Sequence, residues 1–253
     1  MLVVISPAKK LDFKEKAPVE RYTTPKFLSD TEPLIKSLRK LSSIDLSKLM
    51  KLSDKLSDLN RDRYKSFETP FTLKNAKQAM YAFQGDTYVG LEAHNFQKNQ
   101  IDYAQKHLKI LSGLYGILSP LDLIQPYRLE MGTNFGVGKA KNLYQYWGAK
   151  LTEHVNSHKD CNFLLNCASK EYFSVLDSQN IKPTVITPHF KVNKGGQLKV
   201  IGIYAKKARG ACAKFVIENE IKCPEDVKKF NGLGFKFDKK LSDETNFVFV
   251  KND

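Results

Sequence analysis

Near the end of the chain, Tyr204-Ala-Lys-Lys-Ala-Arg-Gly210 sets three cations where an apolar run passes into a helical pattern. Read as the start of a helix over 205–221, the segment crowds Lys206, Lys207 and Arg209 into the first turn, with Glu218 and Glu220 near the other end. A helix N-terminus carries partial positive charge, so each cation there costs ~0.3–1 kcal/mol, and acidic residues at the C-terminus are equally misplaced. An anion bound at the first turn accounts for the pattern, because free amides, the dipole and three cations then converge on it. Gly210 leaves room for a phosphate backbone or a neighbouring strand. The competing reading is a solvated basic turn with salt bridges to other elements; the anion site is preferred.

Other polar clusters adjoin apolar runs. Ile5-Ser-Pro-Ala-Lys9 leaves a strand end and sets Ser6 and Lys9 at a sheet edge, where ligands often bind in α/β sheets. Gly85-Asp-Thr-Tyr88 and Ala168-Ser-Lys-Glu-Tyr172 offer Asp86, Tyr88, Ser169 and Glu171 as acid, base or hydrogen-bonding groups. Pro126-Tyr-Arg-Leu-Glu130 supports two readings: a structural Arg128–Glu130 pair, or an Arg that reaches a phosphate while the Glu orients it. His154 and His158 stand at i, i+4 with Cys161 three residues on, a metal-compatible spacing without the glutamate of HExxH, for which exposed histidines at a helix end are the simpler reading. Neither GxGxxG nor GxxxxGK[ST] occurs, and no cofactor is implied.

The elements that must position these groups follow from periodicity. Leu2–Ser6 predicts a buried strand ended by Pro7. Helical spacing runs from Thr31 to Arg63, and helices are also expected over Lys74–Phe83, Ile101–Leu111, Leu143–Val155 and Ala205–Ile221. Strands are expected at Asn162–Asn166, Thr184–Thr187, Leu198–Tyr204, Phe235–Phe237 and Phe247–Val250. The glycine- and proline-dense stretch Gly113–Gly132 predicts a compact connection, with Leu111–Gly132 similar to a helix-hairpin-helix DNA element whose two glycines are spaced one residue too far apart. Asp45–Tyr64 is a second candidate for that element, lacking a glycine in its turn. The expectation is a single domain over 1–253, α/β with α+β as the alternative, holding a mixed sheet flanked by helices.

At 42% hydrophobic and 11% aromatic residues the chain is globular in composition. No stretch approaches the ~20 apolar residues of a membrane span, and the start lacks the charged leader and long apolar region of a secretory signal. The expectation is a cytoplasmic protein with no membrane partner, its four cysteines reduced. Formal net charge is +14, and the excess of basic side chains sits in the first and last thirds around a near-neutral middle. Such a chain attracts polyanions. Arginine is sparse among the cations, which with the lack of a recognition helix argues against sequence-specific base reading.

The motifs ISPAKKLD (5–12), LSDKL (52–56), FQGDTYVGL (83–91), LSGLYGILSPLDLIQPYRLEMG (111–132), LYQYWG (143–148), NCASKEYF (166–173) and YAKKARG (204–210) resemble, in order, those of the YaaA family of bacterial peroxide-stress resistance proteins. The tail FNGLGFKFD (230–238) is also similar. The resemblance implies a cytoplasmic protein induced by hydrogen peroxide that holds down free iron and limits Fenton damage to DNA. It further implies DNA binding through a basic cleft and a helix-hairpin-helix element. Carried onto this chain, the cations inside matching motifs are Lys9, Lys55, Arg128, Lys206, Lys207 and Arg209. His154, His158 and Cys161 lie outside every matching motif, and Cys167 replaces a usual aliphatic residue. The function so expected is backbone binding of double-stranded or branched DNA without turnover, and no protein partner is inferable. The alternative is an enzyme on a nucleotide or nucleic acid, using Ser6, Asp86, Tyr88, Glu130, Ser169 and Glu171. A third reading is metal sequestration through His154, His158 and Cys161.

Overall fold

A computed structural model describes residues 1–158 and 161–252. The chain opens with strand β1 (Leu2–Ile5), buried along its whole length, and β2 (Lys10–Leu11). Three helices follow: α1 (Leu28–Leu38), α2 (Ser43–Met50) and α3 (Asp54–Ser66). A capping box between Ser42 and Asp45 starts α2, and Lys51 in the left-handed conformation closes it, so α2 and α3 form a tight helical hairpin. Next come β3 (Lys77–Gln78), the single turn α4 (Ala79–Ala82), β4 (Phe83–Gln84), α5 (Asp86–Leu91) and α6 (Lys98–His107).

The middle of the chain forms β5 (Leu108–Ser112), β6 (Gly116–Leu118), β7 (Leu123–Ile124), α7 (Leu143–Asn156), β8 (Phe163–Cys167) and α8 (Lys170–Phe173). The last part forms β9 (Thr184–Lys194), β10 (Gln197–Lys199), α9 (Gly202–Glu218), α10 (Pro224–Val227), β11 (Lys236–Phe237) and β12 (Asn246–Asn252). Among the described residues the main sheet has eight strands, ordered β11-β12-β9-β8-β1-β5-β6, with β10 paired to β9 off this path. Its centre, β12-β9-β8-β1-β5, is parallel, while β6, β10 and β11 add antiparallel margins. The architecture is mixed α/β, as the sequence predicts. Strands such as Leu2–Ile5 and Leu108–Ser112 read as continuous apolar runs because both faces of an interior parallel strand are covered.

Four sequence expectations change. Lys74–Phe83 is helical only over the single turn α4: Ala79 N donates to Asp122 O and Met80 N to Pro120 O, so tertiary partners take amides that a longer helix needs. The helix expected over Ile101–Leu111 ends at His107, and the rest becomes β5, which pairs with β1. The Leu111–Gly132 stretch is a β-hairpin followed by β7, not a helix-hairpin-helix. Its glycines serve packing. A Cβ at Gly113 would lie 2.3 Å from Leu129 O, and one at Gly116 (φ +71) 2.9 Å from the ring of the fully buried Trp147, whose Nε1 donates to Gly113 O at 2.9 Å.

The fourth change concerns the cationic helix. The strand expected over Leu198–Tyr204 stops at Lys199, and α9 begins at Gly202. Ala205 N already donates to Ile201 O, so Lys206, Lys207 and Arg209 sit past the first turn, where no helix amide is free. The backwards-dipole argument therefore fails for them. Lys214, 3.6 Å from Glu218, offsets that misplaced carboxylate, and Glu220 lies beyond the helix. Gly210 admits neither phosphate nor strand but the backbone of α5, and Gly90 answers it from the other side: a Cβ at Gly90 would lie 2.0 Å from Lys207 O. Ala205, Ala208 and Ala213 of α9 are buried as well.

Candidate functional site

Strand order reverses at β1: β5 lies on one side, and β8, β9 and β12 on the other. Open parallel sheets hold ligands beyond the carboxyl ends of their strands at such a point. Ser6 follows β1 and Ser169 follows β8 by two residues, and the two meet there. Ser169 N donates to Ser6 Oγ at 2.9 Å, and the hydroxyls stand 3.3 Å apart. Around them opens a cavity of about 460 Å³.

This cavity gathers residues that the sequence left scattered. Ser6 and Lys9 come from the β1 exit, Asp86 from α5, Glu130 from the loop after β7, Ser169 and Glu171 from the β8 exit, and Lys206 and Arg209 from α9. Tyr88 supports it from beneath, its hydroxyl donating to Ser6 O at 3.2 Å. Burial, with neighbouring Tyr127 and Tyr172, pushes the Tyr88 phenol well above its ordinary range, so it stays protonated and serves as a brace rather than a base. Glu171 Oε1 accepts from Gly132 N at 3.0 Å and ties the loop after β7 to the β8 exit.

Glu130 Oε1 lies 3.0 Å from Lys9 Nζ and 3.2 Å from Arg128 Nη2, contacts of charge that are not aligned as hydrogen bonds. The structural pairing of Arg128 with Glu130 is thus present. Lys9 is 68% exposed, and an exposed ion pair contributes only ~0–1 kcal/mol, so Lys9 can exchange Glu130 for a ligand at little cost.

Arg209 differs from the other cations. Half-buried in the cavity wall, it makes no hydrogen bond or ion pair among the described residues. Burial disfavours its charge and lowers its pKa, an effect that the nearby Cys167 sulfur opposes. Beneath it the Cys212 thiol is held well above its usual range by contact with Cys167 and by burial. A guanidinium without a counter-ion facing a cavity is suited to an anion. The Asp86 carboxylate, also in the cavity lining, likewise has no hydrogen bond or ion pair among the described residues.

Three of the expected cations are not among the lining residues, and one of them, Arg128, stands behind the lining residue Glu130. Lys207 turns toward Glu92, whose pKa it helps to lower after the larger effects of Lys214. Lys55 is exposed on α3. Sequence reasoning missed Lys10, Gln84, Thr87 and Tyr172, which also line the cavity, although each adjoins a residue already singled out. It missed Arg63 as well, whose charge is disfavoured by burial and by Arg128 close by.

The histidine cluster has other partners. His154 Nδ1 faces Lys26 Nζ at 3.1 Å, His158 Nδ1 meets His154 O at 2.9 Å, and Cys161 Sγ donates to Phe163 O. Among the described residues no three His, Cys, Asp or Glu side chains gather closely enough to hold a metal ion. No described helix is long and apolar enough to cross a membrane.

Comparison with known proteins places this geometry in context. Residues 1–241 match the family model described as peroxide stress protein YaaA. The chain is 48% identical over 255 residues to a UPF0246 protein of Alteromonas mediterranea, covering all of this chain and 98% of the relative. It is 46% identical over 256 residues to a UPF0246 protein of Aliivibrio fischeri, covering all of this chain and 99% of the relative. A UPF0246 protein of Burkholderia orbicola is 46% identical over 254 residues, with 98% of each chain covered.

Proposed function

The chain belongs to the peroxide stress protein YaaA family, and from that premise we propose that it acts in peroxide stress by binding the phosphate backbone of DNA. The observation that carries this reading is Arg209, a half-buried guanidinium without a counter-ion among the described residues, at the cavity where Lys9 and Lys206 also stand. Lys9, Lys206 and Arg209 form the cavity part of the DNA surface in this proposal; Arg128 adjoins it through Glu130, and Lys55 and Lys207 are outlying contacts. Binding is largely independent of sequence, because lysines take phosphates as point charges and carry no base code. The proposal includes the outcome implied by the family resemblance: less free intracellular iron and less peroxide damage to DNA in the cytoplasm.

Titrating a labelled duplex with the protein between 50 and 200 mM salt tests it. The logarithm of the binding constant should fall linearly with log salt, with a slope of ~0.9 per neutralised phosphate. Lys206→Ala/Lys207→Ala/Arg209→Ala should weaken binding and flatten that slope. Equal affinity and slope for wild type and triple variant at physiological salt would remove these residues from the DNA surface.

A second reading, an enzyme acting on a nucleotide or nucleic acid, is favoured by one observation. Ser6, Asp86, Glu130, Ser169 and Glu171 line the same cavity as Arg209, and Asp86 has no partner among the described residues. A partnerless carboxylate beside hydroxyl groups suits proton transfer.

A further inference from the structure

We infer that the cavity between the ends of β1 and β8 is a binding site for a single nucleotide, with Arg209 as the anchor of its phosphate. The inference deepens the DNA-binding reading and rests on it only for one of two possible sources of the nucleotide, a residue unstacked from DNA or a free nucleoside monophosphate.

Size is the first argument. At about 460 Å³ the cavity falls within the ~300–1,000 Å³ of small-molecule sites, far more room than a phosphate needs. Depth is the second. Arg209 is half-buried in the cavity wall and Lys206 beside it is exposed, so a phosphate that engages both sits at the mouth of a cavity with room for its nucleoside. An anion reaching Arg209 therefore brings the rest of its molecule into the cavity.

The third argument is the division of charge. Arg209 and Lys206 stand together on α9, and an anion is their natural partner. Asp86, by contrast, accepts hydrogen bonds and repels anions, and it has no partner of its own among the described residues. Inorganic phosphate leaves Asp86 unused and repelled. A ligand with an anionic end and a donor-bearing end satisfies both, and a nucleoside phosphate has both in its phosphate and its sugar hydroxyl or base amine. Tyr172 in the cavity lining supplies an aromatic surface for a base. Proteins that take a base out of the stack hold it in such a pocket, by its edge and by aromatic or apolar contacts.

Isothermal titration with dAMP, dGMP, dCMP and dTMP, alongside inorganic phosphate and ribose 5-phosphate, tests the site. At least one nucleotide should bind at least tenfold tighter than either control. Arg209→Lys keeps the charge but loses the planar fork, and should weaken nucleotide binding tenfold or more. Asp86→Ala should weaken nucleotide binding while leaving inorganic phosphate unchanged or tighter, with melting curves showing that both variants fold. A second arm compares a fully paired duplex with one carrying a bulged 2-aminopurine. A fluorescence rise on binding the bulge, lost in Asp86→Ala while affinity for the paired duplex persists, identifies DNA as the source. Nucleotide binding without that rise identifies free nucleotides. No nucleotide binding at millimolar concentration and no fluorescence rise would overturn the inference, as would controls that bind as tightly as nucleotides. Loss of paired-duplex binding in the wild type alone would instead overturn the DNA reading and leave the nucleotide site standing.

Discussion

Replacing Gly210 by alanine tests the contact that holds α9 against α5 and so brings Arg209 to the cavity. A Cβ at this position would lie 1.8 Å from Thr87 O, 2.7 Å from Thr87 C and 2.9 Å from Leu91 N. Ordinary contact begins at 3.4 Å, so the helices must part by about 1.6 Å. The obstructing atoms are backbone and cannot rotate aside. Overpacking costs ~1–3 kcal/mol, and this geometry belongs at the upper end; alanine returns ~0.5–1 kcal/mol by restricting the unfolded chain. The net expectation is a loss of about 2 kcal/mol, or a fall in Tm of ~4–8 °C for a chain of this size. Gly148→Ala in α7 is the matched control, because its Cβ would meet Val175 O at an ordinary 3.4 Å. Denaturant and thermal unfolding should show that control as neutral or stabilised by up to ~1 kcal/mol. If Gly210→Ala melts at or above wild type, the close helix approach described here is wrong, and with it the placement of Lys206 and Arg209.

Two buried groups give pH tests of opposite sign. Burial, with Lys26 nearby, holds the His154 imidazole down to about 3. Its contribution to stability is present in full above the unfolded value near 6.5 and is lost as pH falls toward 3. His154→Gln should therefore flatten the loss of stability between pH 6.5 and 4 in urea unfolding; an unchanged acid limb refutes the burial argument. Burial pushes the Asp122 carboxyl up to about 6, against hydrogen bonds from Thr23 and Ser119 and the charge of Lys109. Below pH 4 it is protonated in both states. As pH rises toward 6 the unfolded chain ionises first, and the folded state loses about 1.4 kcal/mol per pH unit between the two values. Asp122→Asn should gain on wild type across that window, and a pH-independent difference between the two would count against the assignment.

The sequence alone determined the elements whose signal is local. The strands expected at Leu2–Ser6, Asn162–Asn166 and Phe247–Val250 fall on β1, β8 and β12, because short apolar runs bounded by polar residues leave few alternatives. The paired stripes of α2 and α3 and the helix Leu143–Asn156 were legible from 3.6-residue spacing. Leu108–Ser112 was misread because Ala104, Leu108 and Leu111 also fit a helix; only pairing with β1, over a hundred residues away, makes it a strand. The start of α9 was misread for a related reason, since alternation through Leu198–Tyr204 mimics a strand in sequence.

Chemical character was likewise legible, whereas convergence was not. Ser6, Asp86, Glu130, Ser169 and Arg209 stood out singly by type and neighbourhood. No spacing rule relates residues so far apart in the chain. They meet because β1 lies between β5 and β8, so that the β1 and β8 exits open side by side, and because Gly90 and Gly210 let α5 and α9 touch backbone to backbone. The cations near residue 206 stand out in the sequence through a helix dipole that in the fold begins three residues earlier, at Gly202. Their charge is written in the sequence; which of them faces a cavity without a counter-ion is decided by tertiary packing. Burial and pairing are properties of the neighbours, and the neighbours come from elsewhere in the chain.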